Sequence, residues 1–193
     1  MGMNQSGQPP IADFMTRLVA FIIDGVVIWV IHYIVTAVLG GMLFSLGGLY
    51  LIVVAAIDIA VSAAYFVYMW TTRKQTVGMM LMKLQVQKDG TGAALNQSEA
   101  IRRWLYLGLP LALSALLSTG FGFGLLGVGL GALAILFTLA PIVALASIAW
   151  EIYLAYATNN DARKQGPHDK AAGSVVVAIG ASPIAGMGGQ KPS

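Results

Sequence analysis

Long apolar runs, each broken only by single polar residues, dominate the sequence and predict helices that cross a membrane. The first run covers residues 18–39 and contains one aspartate, Asp24, and one histidine, His32. At about 1.5 Å per residue, such a run spans roughly 33 Å, which matches the hydrocarbon thickness of a bilayer. A second run, residues 49–70, follows a short glycine-rich stretch that is typical of a tight turn between antiparallel helices.

The second half of the chain contains an almost uncharged stretch, residues 104–157, that is too long for one helix. Its centre is rich in glycine, so we expect two spans joined by a bend, at residues 104–122 and 133–157. The pattern therefore predicts an all-α integral membrane protein with about four transmembrane helices.

The loop between the second and third predicted spans, residues 71–103, is expected to be structured. Leu84 and Val86 alternate with glutamines before the sequence "KDGTG", which is the pattern of a strand followed by a turn. Asn96 and Glu99 have the spacing of a capping box at the start of a helix. We interpret this loop as a segment folded on the membrane surface.

The segment after the fourth predicted span repeats this pattern. A basic turn leads to His168 and Asp169, and the valines at residues 175–177 predict a second strand. The two ends of the chain, residues 1–13 and 180–193, are rich in small and polar residues and are expected to be flexible.

These boundaries leave one membrane domain, residues 14–179. Composition supports it, because 58% of the chain is hydrophobic and 10% is charged, whereas soluble domains have about 45–50% apolar and about 25% charged residues. All 11 lysines and arginines lie before the first span, between the second and third, or after the fourth. An even number of spans places them on one face, which the positive-inside rule makes cytoplasmic, together with both termini.

Composition also limits the chemistry that the chain can perform. With no cysteine and only two histidines, the sequence excludes disulfides and indicates no metal site. The letters "GFGLLG" match a dinucleotide-binding pattern, but no strand precedes them and no acidic residue follows at the required distance. We therefore expect no enzymatic activity and no cofactor. The positive net charge reflects membrane topology, so we expect no nucleic-acid partner.

Acidic residues within the predicted spans are the main candidates for function. Asp24 lies two helical turns beyond Arg17 and on the same helix face. An ionised carboxylate at that depth costs a few kcal/mol unless it is paired, hydrated or protonated. Glu151 should lie at a similar depth and Asp58 nearer the bilayer centre. Two interpretations stay open: a cation or proton site, or a hydrogen-bonded network that holds the helices together. His32 also has two possible interpretations, a proton relay or a structural hydrogen bond.

Three blocks of sequence, in this order and spacing, resemble the RDD family of bacterial membrane proteins. The resemblance extends over residues 12–179. The family is named for an arginine, an aspartate and a second aspartate, which correspond here to Arg17, Asp24 and Asp169. The blocks are "RLVAFIID" from Arg17 to Asp24, "QTVGMMLMKLQVQKDGTG" around Gly78 followed by "AIRRW", and "HDKAAGSVVV" with His168 and Asp169.

The resemblance implies a location in the bacterial inner membrane and, because some members are described as antiporters, exchange of monovalent cations for protons. In that case Asp24 would be the exchanging carboxylate and Arg17 would tune its pKa. Glu151 or Asp58 would assist. Four spans are few for a transporter, so we expect a homo-oligomer or a larger assembly. The alternative is a non-transporting accessory or scaffold subunit that binds lipid or a partner protein.

The block around Gly78 departs from the family pattern at one position. The family usually has a lysine or arginine after the loop glycine, but this chain has Met79 after Gly78. A contact between a basic side chain at that position and a phosphate or lipid headgroup is therefore not expected.

Overall fold

The computed structural model describes residues 9–43, 49–110 and 130–181. These residues are mostly helical, with one small sheet. The helices are α1 (Phe14–Leu43), α2 (Leu49–Thr72), α3 (Val77–Leu81), α4 (97–110, where the described segment ends), α5 (Leu130–Asn160) and α6 (Pro167–Ala172), and the strands are β1 (Leu84–Lys88) and β2 (Ser174–Ala178).

Two described helical segments are long and apolar enough to cross a membrane, Phe14–Leu39 in α1 and Pro141–Asn160 in α5. Within an apolar window of 18 residues in each segment, only 22% of the first window and 17% of the second is buried inside the protein. Apolar helices that leave most of their surface uncovered differ from the core helices of soluble proteins, whose apolar faces are buried. By length and composition, both segments are therefore candidates for membrane-spanning helices.

The structure describes only part of the other predicted spans. Helix α2 coincides with the apolar run at residues 49–70, and residues 104–110 of the third run are helical. The rest of the third run and the glycine-rich bend lie outside the described residues. The number of spans and the orientation of the termini stay predictions.

Strands β1 and β2 pair in antiparallel orientation, with Leu84 opposite Ala178 and Val86 opposite Val176. Both predicted strands are confirmed. The class all-α is correspondingly too narrow, because the described part of the chain is mostly helical but contains a sheet. Residues 174–177 of β2 are all buried, so the strand is covered on both faces.

The segment before α1 joins this sheet. The Ala12 N–H donates to Val176 O (3.0 Å), and the Ala178 N–H donates to Pro10 O (2.9 Å). Ala12 is only 2% exposed. The expectation of a flexible start is therefore corrected for residues 10–12, because backbone hydrogen bonds hold them to β2; residues 1–8 and 182–193 are not described.

A capping box begins α4, as its sequence predicts. The Glu99 N–H donates to Asn96 Oδ1 (2.9 Å), and the Asn96 N–H donates to Glu99 Oε2 (2.9 Å). Lys88 Nζ lies 2.6 Å from Glu99 Oε1, which connects the end of β1 to the start of α4. These contacts orient a helix whose next turn carries the buried Arg103.

We call β1, β2, α3 and α6 together the edge layer, since they lie at the ends of α1 and α5. One hydrophobic core connects this layer to the long helices. The layer is therefore packed against the helices and is not suspended on loops. Core side chains from both parts are Ala20, Phe66, Trp70, Leu84, Val86 and Val176.

Candidate functional site

Asp24 is buried in α1 and accepts three hydrogen bonds. Its Oδ1 accepts from the Tyr65 hydroxyl (2.8 Å) and from the Gly78 N–H (2.8 Å). Its Oδ2 accepts from the Thr76 hydroxyl (2.5 Å). Both oxygens of this carboxylate accept hydrogen bonds, which is how buried polar groups are usually satisfied. Asp24 thus connects α1 to α2 and to the start of α3.

Thr76 and Tyr65 have second roles that explain their positions. Thr76 is the N-cap of α3, where its side-chain oxygen accepts from the Met79 N–H (3.3 Å) while its hydroxyl hydrogen points to Asp24. The Tyr65 hydroxyl accepts from the Val77 N–H (3.0 Å) and donates to Asp24. The first turn of α3 therefore depends on side chains from two long helices.

Gly78 lies against the backbone of α1. A Cβ atom at this position would be 2.0 Å from Ala20 O and 3.0 Å from Asp24 Cγ. Only glycine permits so close an approach. The neighbouring Met79 is 8% exposed and belongs to the hydrophobic core, so packing explains an apolar residue there.

Asp169 in α6 receives two guanidinium groups from different helices. Arg17 Nη1 in α1 donates to its Oδ2 (3.0 Å), and Arg103 Nη1 in α4 donates to its Oδ1. Asp169 is 0% exposed and Arg103 is 1% exposed. Arg17 also donates to the carbonyls of Lys164 (2.6 Å) and Val176 (3.0 Å). The first and last family-pattern residues therefore join α1, α4 and the edge layer.

The positive charges around Asp169 outnumber its own negative charge. Burial by itself raises the pKa of Asp169, but the charges of Arg103 and Arg17 hold that pKa well below its usual range, so the carboxylate is ionised. Burial lowers the pKa of His168 to about 4, against the opposing attraction of Asp169. His168 is therefore neutral at pH 7. Two guanidinium charges share one carboxylate charge.

The stability of the protein should decrease on acidification because of His168. Its pKa is about 4 in the folded protein, below the usual value of about 6.5. Between pH 6.5 and 4 the unfolded chain binds a proton that the folded chain does not, so about 3 kcal/mol is lost across this window. The check is the melting temperature of detergent-purified protein from pH 7 to pH 4.5. A His168→Gln variant should show a flatter profile; the same pH dependence in both proteins would contradict the assignment.

His32 and Asp58 form a separate buried pair between α1 and α2. His32 Nδ1 lies 2.7 Å from Asp58 Oδ1, and both residues are less than 10% exposed. The structure therefore does not bring Asp58 to Asp24, whose three donors are Tyr65, Thr76 and Gly78.

Asp24 and Glu151 line the same cavity, which has a volume of about 130 Å³ and lies among the long helices and the edge layer. No hydrogen bond joins the two residues. Within the described part of the chain, Glu151 Oε1 is buried and has no hydrogen-bond partner. Arg17 and Arg103 also line this cavity. Its polar wall thus contains two carboxyl groups and two guanidinium groups.

Arg17 and Asp24 form no hydrogen bond or ion pair with each other in the described structure. The helical spacing does place them on one face, but the Arg17 guanidinium turns to Asp169 and to carbonyls of the edge layer. Sequence reasoning also missed Arg103 as a partner of Asp169, since the two are 66 positions apart and no local pattern relates them. Thr76 was detectable, because a threonine three residues before a helical N–H is a common N-cap.

No group of three or more histidine and acidic side chains is placed to hold a metal ion among the described residues. A family model described as "RDD family" matches residues 11–173. No curated protein and no solved structure matches the chain. The matched region includes Asp24, Glu151 and Asp169 and the residues placed above around them, except Val176.

Proposed function

The chain belongs to the RDD family of membrane proteins, and from this premise we propose that it is a non-transporting accessory or scaffold protein of the bacterial inner membrane. In this role the long helices anchor the edge layer at the cytoplasmic surface, where it binds lipid or a partner protein. The observation that carries the proposal is the use of Arg17, Asp24 and Asp169. All three connect the edge layer to the long helices.

The hydrogen bonds of Asp24 favour anchoring over ion exchange. An exchanging carboxylate must release its partners in each cycle to bind a cation or a proton. Asp24 has three donors, and each buried hydrogen bond that is lost costs on the order of 1 kcal/mol. Its position is that of a fixed acceptor at the junction of three helices.

The guanidinium groups that line the cavity also favour the scaffold proposal over ion exchange. Arg17 and Arg103 line the cavity that Asp24 and Glu151 also line. A cation that entered would meet two positive charges, of which Asp169 balances one, beside the carboxyl groups of Asp24 and Glu151. Repulsion between like charges is strong where water is scarce.

A second candidate, exchange of monovalent cations for protons, is favoured by Glu151. This carboxyl lies in an apolar segment of α5, and its Oε1 is buried without a partner in the described structure. Ionisable groups inside a membrane often bind protons or ions. In this alternative Glu151 replaces Asp24 as the exchanging group, and a homo-oligomer or larger assembly would complete the pathway.

Cation-driven proton flux in proteoliposomes separates the two candidates. The wild type, Glu151→Gln and Asp24→Asn are compared with a trapped pH dye and challenged with sodium, lithium and potassium. We expect no flux from folded wild-type protein. Flux that Glu151→Gln abolishes would overturn the scaffold proposal in favour of exchange.

The same variants differ in their expected stability. Asp24→Asn should lower the free energy of unfolding by about 1–3 kcal/mol, because its amide places a donor against another donor. It should also increase protease cleavage in residues 71–103, since α3 loses an anchor. Glu151→Gln, which breaks no described hydrogen bond, is the matched control.

A further inference from the structure

The cavity among the long helices has a polar end and an apolar body. Arg17 and Arg103 lie beside the edge layer, whereas Asp24 and Glu151 lie deeper along α1 and α5. Seven residues separate Arg17 from Asp24 in the sequence, which corresponds to roughly 10 Å along a helix. The apolar lining includes Phe14, Leu18, Phe21, Leu107, Leu154 and Ala155.

Both arginines that line this cavity retain one unused hydrogen-bond donor. Both Nη atoms of Arg17 and the Nη1 atom of Arg103 bind Asp169 and its surroundings. Their Nε atoms are buried and have no acceptor within the described residues. A buried N–H group without an acceptor destabilises the folded protein. Two such groups from different helices at one end of a cavity indicate a shared acceptor.

The charge balance gives the sign of that acceptor. Arg17 and Arg103 contribute two positive charges, and Asp169, in direct contact with both, contributes one negative charge. His168 is neutral at pH 7, and the exposed Asp13 attracts Arg17 from the surface without forming an ion pair with it. Asp24 does not pair with them, because neutral donors occupy both of its oxygens. A buried charge is stable only when it is paired. The polar end of the cavity therefore suits an anionic group.

We propose that this cavity binds an anionic membrane phospholipid, with its phosphate at the Nε–H groups of Arg17 and Arg103. Guanidinium groups match phosphate oxygens in geometry and charge. The apolar lining provides a surface for an acyl chain, which a free phosphate ion would not use. This inference deepens the scaffold proposal by naming its lipid and the site that binds it.

Glu151 sets the direction in which the lipid lies. Glu151 lies nine positions before the end of α5 at Asn160, which corresponds to roughly 13 Å along the helix from its end at the edge layer. An anionic headgroup would be repelled there if Glu151 is ionised and poorly solvated if it is protonated. The phosphate therefore lies at the edge layer, at the level where lipid headgroups meet water, and the acyl chain extends toward the membrane interior.

A substitution that fills the cavity tests the site without altering its polar network. Ala155→Phe places a ring among the apolar side chains of the cavity. Ile152→Phe is the matched control, since Ile152 is on the same helix and 64% exposed. Ala155→Val adds less volume and serves if the larger substitution prevents folding. Delipidated full-length protein is titrated with phosphatidylglycerol, diacylglycerol or inorganic phosphate, and binding is measured by native mass spectrometry and by the shift in melting temperature.

We expect wild type and Ile152→Phe to retain phosphatidylglycerol, Ala155→Phe to bind it about tenfold more weakly, and Ala155→Val to be intermediate. Diacylglycerol, which lacks the phosphate, should bind at least tenfold more weakly to the wild type. Equal binding of both lipids, or unchanged binding by the Ala155 variants, would overturn the proposal. Stabilisation by inorganic phosphate alone, to the same extent as by the lipid, would assign the site to a free anion instead. None of these outcomes depends on the flux assay, so this inference and the scaffold proposal fail separately.

Discussion

Replacing Asp169 with asparagine is expected to destabilise the folded protein by about 3–5 kcal/mol, because it leaves two buried guanidinium groups without a counter-charge. Asp169 is 0% exposed and receives Arg17 and Arg103 from α1 and α4. An amide can accept one of these hydrogen bonds but carries no charge to balance either arginine. The loss should appear as a lower melting temperature in detergent and as faster proteolysis of the segment after α5.

Asp161→Asn is the control for this prediction. Asp161 also pairs with a basic side chain, Lys170 (2.5 Å), and lies in the same segment. That lysine side chain is 59% exposed, and surface ion pairs contribute little to stability. We expect an almost unchanged melting temperature. Equal destabilisation by the two substitutions would mean that the buried network around Asp169 does not hold the edge layer in place.

Gly78→Ala is expected to be the second most damaging change. The added Cβ would be 2.0 Å from Ala20 O, a distance that can be relieved only by moving α3 away from α1. That movement would stretch the hydrogen bond that the Gly78 N–H donates to Asp24, and it would open the core around Met79. Overpacking of this kind costs about 1–3 kcal/mol, and the lost hydrogen bond adds about 1 kcal/mol.

Gly25→Ala provides a matched control for Gly78→Ala. Gly25 follows Asp24 in α1, and a Cβ atom there would meet nothing within 4 Å. Alanine favours helix over glycine by about 0.5–1 kcal/mol, so the melting temperature should stay unchanged or rise slightly. Hydrogen exchange of the α3 amides should increase in Gly78→Ala alone. If Gly78→Ala melts like the wild type, the close packing of α3 on α1 is wrong.

Features that depend on neighbouring residues could be predicted from the sequence. The capping box of Asn96 and Glu99 forms because both residues lie within one helical turn. Strands β1 and β2 follow from short runs of β-branched and alternating residues. The apolar segments in α1 and α5 follow from hydropathy, since lipid requires apolar surface over a fixed length.

The residues that contact each other across the fold could not be predicted from the sequence in the same way. Arg17 and Asp24 share a helix face, and that proximity suggested that Arg17 tunes the pKa of Asp24, yet each binds a residue more than 40 positions away. Asp24, Glu151 and Asp58 were grouped because all three are acidic residues inside predicted spans, Asp24 and Glu151 at a similar depth and Asp58 nearer the bilayer centre. Depth along a helix does not determine rotation about its axis, so Asp58 meets His32 while Glu151 faces the cavity.

The sequence by itself determined that this is a membrane protein of the RDD family, with apolar helices and a folded segment between them, because hydropathy, capping and strand patterns act over a few residues. Only the tertiary structure decided that Gly78 meets Asp24, that Arg103 shares Asp169 with Arg17, and that an arginine-lined cavity lies beside the edge layer. These contacts join side chains 54 to 152 positions apart. Their formation depends on the packing and rotation of whole helices, and no local pattern encodes either.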